Sequence, residues 1–147
     1  MSNQAITRDE FEKRIVKLLL RSGLTDFPKN VKDQYVLLKS AMLVLRPKAG
    51  EMTEKEVNEG LRVWVDNVGQ IEAIDHVTLR RALVDTGFLS RSDNGAVYQV
   101  SPSGPRLWQF ETAVDQVNVP DVLNAARKEI AARKRAYLEK SQKPKSA

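Results

Sequence analysis

The chain has 147 residues, 41% hydrophobic and 29% charged, which is enough for one compact domain with a real core. It has no cysteine, which excludes disulfide staples, thiolate metal sites and a cysteine nucleophile, and fits a reducing cytoplasm. The net charge of +5 is uneven: residues 121–147 hold eight Lys/Arg against three acids, whereas residues 1–120 hold sixteen of each, so the body of the chain makes no general charge argument for a polyanion. The N-terminus lacks an apolar signal core, and apolar runs extend over only a few residues, so a soluble cytoplasmic protein without membrane contact is expected.

Thr7 and Glu10 form a capping-box pattern, and Phe11, Ile15, Leu18 and Leu19 follow at helical spacing up to Gly23, which predicts a helix over 8–22. Asn30 can cap a second helix, whose wide apolar face (Val31, Tyr35, Leu38, Met42, Leu45) suggests a central position before Arg46-Pro47 ends it. Thr53 and Glu56 make a second capping box. Val57, Leu61, Trp64, Val65 and Val68 then give the cleanest amphipathic pattern, over 54–68, broken by Gly69. Asp75 can cap a fourth helix, with Leu79, Ala82, Leu83 and Thr86 on one face and Gly87 as its stop. Short strands at 88–91 and 96–100 flank Asn94-Gly95, a strong hairpin signal. A two-residue loop there puts Arg91 opposite Tyr98 and Leu89 opposite Val100, making one hairpin face apolar.

Beyond the turn-rich 101–105, Trp108 and Phe110 need packing partners, expected on the N-terminal helix. Pro120-Asp121 opens a last helix to about Lys140. Its thin apolar stripe (Leu123, Ala126, Ile130, Tyr137) is interrupted by Arg133 and Lys134, and 141–147 is expected to be disordered. The chain therefore divides into an N-terminal helix (1–26), a winged-helix-like domain (27–100), a packing segment (101–119) and a basic C-terminal helix with its tail (120–147). The fold class is mainly α with a small β-hairpin: helix, helix, strand, turn, strand is the order of a winged helix-turn-helix, here with extra terminal helices.

The run Glu56-Val57-Asn58-Glu59 with Leu61, the run from Thr78 through Leu79-Arg80-Arg81-Ala82-Leu83-Val84-Asp85 to Arg91, and then Gly95 and Tyr98, resemble a prokaryotic domain family of unknown function, family 2087, with its "EKEVN … LRRxLVDxGxLxR … G … Y" pattern. Phe27-Pro28-Lys29 is similar to the family's usual opening, so the likeness spans roughly 27–100, with a longer connector over 62–74. Family members occur alone or behind a repressor-type helix-turn-helix domain. The resemblance thus implies transcriptional regulation, by analogy alone.

The expected function is DNA binding, as a homodimer. Thr78, Arg80 and Arg81 would face the groove, because arginine pairs bidentately with guanine edges or phosphates. Arg91 and Asn94 on the wing would touch the flanking backbone, and His76 could reach a phosphate. In the competing reading these arginines form a solvated face, with Arg81 paired to Asp85 at i+4. Arg127, Lys128, Arg133, Lys134 and Arg135 on the last helix are the other candidate phosphate contacts. The alternative function is a protein-interaction or assembly module on the same fold, with Trp108 and the last helix as its docking surface. The chain carries one histidine and no phosphate loop, nucleophile elbow or two-histidine metal motif, so neither enzyme nor cofactor is expected. Asp66, Glu72, Asp75 and His76 read better as caps and surface charges than as metal ligands, and Trp64 reads as core.

Overall fold

The computed structural model describes residues 4–46 and 50–142. Helix α1 (Arg8–Val16) continues into a wider π-helical turn (Lys17–Arg21), where the N–H of Ser22 donates to the carbonyl of Lys17 at 2.9 Å, and Gly23 at φ +60° ends it. Helix α2 (Val31–Leu45) is capped by Asn30, and Arg46 closes it in the left-handed region; Pro47 lies outside the described residues. Strand β1 (Met52–Thr53) leads directly into α3 (Glu54–Trp64), which also ends in a π-helical turn (Val65–Gly69). Helix α4 (His76–Asp85), strands β2 (Leu89–Arg91) and β3 (Val97–Val100), a 3-10 turn (Thr112–Gln116) and helix α5 (Val119–Gln142) follow.

The three strands form one antiparallel sheet in the order β1-β3-β2. Together with α2, α3 and α4 it makes a winged helix: β1 sits between the first two helices of the trihelical unit and pairs with the far strand of the wing. Strand β1 went unseen in the sequence because two residues carry no periodicity. The predicted hairpin register holds, with Leu89 opposite Val100 and Arg91 opposite Tyr98. The loop is longer than the predicted two residues. It spans 93–96, closed by Ser92 N–H to Val97 O at 2.9 Å, and of the Asn94-Gly95 pair only Gly95 takes positive φ, +74°. The register survives because the loop keeps an even number of residues. Val100 departs from the expected apolar face and is half exposed, whereas Leu89 and Tyr98 are buried.

Helix α2 is central as predicted, with Tyr35, Val36, Leu37, Leu38 and Ala41 inside the core, although Val31 at its start is exposed. Of the two capping boxes only that of Thr53 and Glu56 is complete. Thr7 accepts from the N–H of Glu10, but the Glu10 carboxylate turns away to Lys32 (2.7 Å) and Arg14 (2.9 Å). Arg14 also reaches Asp33 at 2.6 Å, so this network ties α1 to α2. Trp64 is core, and its indole N–H donates to the buried Ser40 hydroxyl at 2.9 Å. Gly69 is the last residue of the π-helical turn, where the helical stretch stops as expected with Gln70 in the left-handed region, and a Cβ at Gly69 would collide with the Trp64 ring.

Phe110 packs as expected on the N-terminal helix, edge-on to Phe11 at 6.2 Å, and also meets Phe88 at 6.1 Å. The backbone of Ile6 bridges to both neighbours of Phe110, donating to Gln109 O and accepting from Glu111 N–H. Helix α5 packs against α1 and α2 through Val119 and Leu123, while residues 131–141 are all exposed. The predicted disorder of the tail falls mainly on 143–147, outside the described residues. No helix among the described residues is long and apolar enough to cross a membrane.

Candidate nucleic-acid interface

Helix α4 occupies the recognition position of the winged helix. The Asp75 carboxylate caps it by accepting from the N–H of Thr78 at 2.7 Å. That backbone N–H, with help from the Thr78 hydroxyl, holds the Asp75 carboxyl below the usual carboxylate range. Leu79 and Leu83 anchor the inner face in the core. The outer face carries Val77, Thr78, Arg81 and Asp85, all exposed. Val77 is 41% exposed and was missed by sequence reasoning; its i, i+4 spacing with Arg81 was the signal that could have found it.

Between α4 and the wing lies a notch of about 220 Å³, whose lining includes Val77, Arg80, Arg81, Asp85, Arg91 and Tyr98. The fold thus brings Arg91 of the wing to the sequence neighbours Arg80 and Arg81 of α4 around one opening with a single carboxylate on its wall. Their states differ. Arg80 is committed inward: it meets Glu54 at 3.1 Å, donates to the Asn58 carboxamide oxygen, lies over the Tyr98 ring at 5.9 Å and keeps only 18% of its side chain exposed. Arg81 and Arg91 are exposed and form no ion pair among the described residues, so the suggested Arg81–Asp85 pairing is not made. The Arg91 side chain lies across Gly95, close enough that a Cβ there would strike its guanidinium.

Thr78 and Asn94 do not line the notch. The Asn94 oxygen is occupied within its own loop, accepting from Ser92 Oγ at 2.8 Å and Ala96 N–H at 3.0 Å. His76 sits 3.5 Å from an Arg62 nitrogen. The basic residues of α5 are exposed and belong to a different part of the surface. Arg127 donates to Asn124, Arg133 pairs with Glu129, and Lys128, Lys134 and Arg135 point to solvent. Trp108 is half buried beneath Lys32, whose ammonium is 4.6 Å from the ring centroid, so much of its surface is spent inside the molecule. Among the described residues, no group of three or more His, Asp or Glu is placed to hold a metal ion.

A profile described as "Uncharacterized protein conserved in bacteria (DUF2087)" matches residues 23–100, which hold α2, the sheet, α3 and α4. No curated protein and no solved structure matches the chain. The match covers more than half of the chain and includes the whole α4–wing notch, and on that ground the chain belongs to the DUF2087 family of bacterial proteins.

Proposed function

We propose that the protein is a cytoplasmic winged-helix DNA-binding protein that acts in transcriptional regulation as a homodimer. The observation that carries this reading is the α4–wing notch, where Arg81 and Arg91 present two uncompensated guanidinium groups beside an outward-facing helix. Phosphate oxygens suit such a pair, and Val77 and Thr78 offer a methyl surface and a hydroxyl to base edges. Arg80 serves as a positioning residue, setting α4 against α3 and the wing. The exposed basic half of α5 adds nonspecific attraction. Its Tyr137 and Leu138, 71% and 45% exposed, offer apolar surface for pairing between copies.

A protein-interaction module without DNA binding is the second reading, favoured by the charge balance of residues 1–120. Fluorescence anisotropy with random-sequence duplex DNA over a salt series separates the two. DNA binding requires saturable association at low salt and about a tenfold loss in Arg81→Ala. Absence of association by the full chain at low salt removes the DNA reading. The comparison truncation is 1–130, because Val119 and Leu123 belong to the core and a shorter chain would unfold for unrelated reasons.

A further inference from the structure

A second cleft, of about 570 Å³, runs along the other side of β2. Its polar lining is Ser90, Arg91, Ser101, Ser103, Arg106 and Gln109, and no acidic residue contributes to it. Neither arginine has an ion-pair partner among the described residues. The stem of Arg106 lies against Gly87, also part of the wall, where an added Cβ would come within 3.2 Å of Arg106 Cγ.

The backbone adds donors. Strand β2 is one of the two edges of the sheet. Hydrogen bonds at Ser101 N–H to Phe88 O and at Ser92 N–H to Val97 O fix the alternation, so Ser90 is the residue turned toward β3. Leu89 and Arg91, both in the cleft wall, therefore turn their N–H groups away from the sheet, toward the open edge. Leu89 is a buried residue, so its outward N–H gains from an acceptor brought by a ligand.

From this donor set we infer that the cleft binds a small oxyanion-bearing molecule. Residues bearing guanidinium, hydroxyl and outward N–H groups line the cleft with no carboxylate to compete, a chemistry suited to phosphate oxygens. The volume exceeds that of one oxyanion and falls in the range of small-molecule sites, so the cleft has room for an organic body beside the charged group. This site adjoins the α4–wing notch, and Val84 and Arg91 line both. An anion in the cleft would therefore draw on a cation that the notch also uses, and that consequence alone rests on the DNA reading.

The test titrates inorganic phosphate into the full chain without DNA, at constant ionic strength against chloride, following backbone amide shifts by NMR and heat by calorimetry. Saturable binding is expected, with shifts at Leu89 and Arg91 larger than at Val77 and Thr78. Arg106→Ala should weaken it about tenfold, as removal of a charge-assisted hydrogen bond does. Ser103→Asp, a change at an exposed position, should abolish it by adding a carboxylate and keeps the test valid if Arg106→Ala misfolds. Arg81→Ala, outside the cleft, should leave it unchanged. Absence of saturable binding, full affinity in both Arg106→Ala and Ser103→Asp, or loss in Arg81→Ala alone each overturns the inference. None of these outcomes bears on whether duplex DNA binds.

Discussion

Arg80 and Arg81 are neighbours in sequence with opposite employment. A helix turns about 100° per residue, so one guanidinium faces Glu54 and Asn58 on α3 while the other faces solvent. Truncating Arg80 removes an ion pair, a charged hydrogen bond and its packing on Tyr98. Arg80→Ala should cost about 1–2 kcal/mol in denaturant unfolding, whereas Arg81→Ala should change stability by less than about 0.5 kcal/mol. Equal stabilities of the two variants would refute the bracing role of Arg80. Gly69 sets two opposed effects against each other. Replacing a helical glycine by alanine gains about 1 kcal/mol of propensity, but the added methyl strikes the buried Trp64 ring, and overpacking costs about 1–3 kcal/mol. The clash wins, so Gly69→Ala should lower the melting temperature, and Ser40→Ala should lower it as well by leaving the Trp64 indole N–H unpaired.

The elements are joined by charge as well as by apolar packing. Hydrogen bonding from Lys32, then from Arg14, outweighs burial and holds the Glu10 carboxyl below its ordinary value. A folded-state pKa below the unfolded one means stability that is present above the unfolded pKa and lost as pH falls through the folded value. The α1–α2 tie should therefore weaken below about pH 4.5, and Glu10→Gln should remove that part of the acid dependence in pH-resolved unfolding. Helix α5 divides differently. Its first turns bury Val119 and Leu123, and its residues from 131 to 141 touch little. At a concentration too low for pairing, a chain ending at residue 130 should keep the melting temperature of the full chain to within a degree or two, while Leu123→Ala should cost about 2–4 kcal/mol. At higher concentration the full chain should gain melting temperature over the 1–130 chain through pairing of distal α5, and no such gain would remove that pairing surface.

At the scale of the whole molecule, the six Lys/Arg from Arg127 to Lys140 are carried on exposed positions of α5. If that helix grips DNA, the 1–130 chain should show a shallower dependence of log affinity on log salt, by up to about 0.9 for each phosphate no longer neutralised. An unchanged slope would assign the electrostatic grip to the α4–wing notch alone.

The order of elements, the hairpin register and most caps were legible in the sequence because each depends on residues a few positions apart. Thr53 with Glu56, Asp75 with Thr78, and the stops at Gly23 and Gly87 are local backbone chemistry. Strand β1 was not legible, since two residues become a strand only through pairing with β3 from far along the chain. The inward turn of Arg80 was equally hidden, because its partners lie on another helix. The same holds for the two arginine-lined cavities, which exist only once the wing folds back on α4 and the 101–109 segment lies along β2. Local residue order was thus enough to specify a winged helix with a basic last helix. Which arginines remain available to a partner was settled by the packed fold, because the company each side chain keeps, not its residue type, neutralises one guanidinium and leaves its neighbour in solvent.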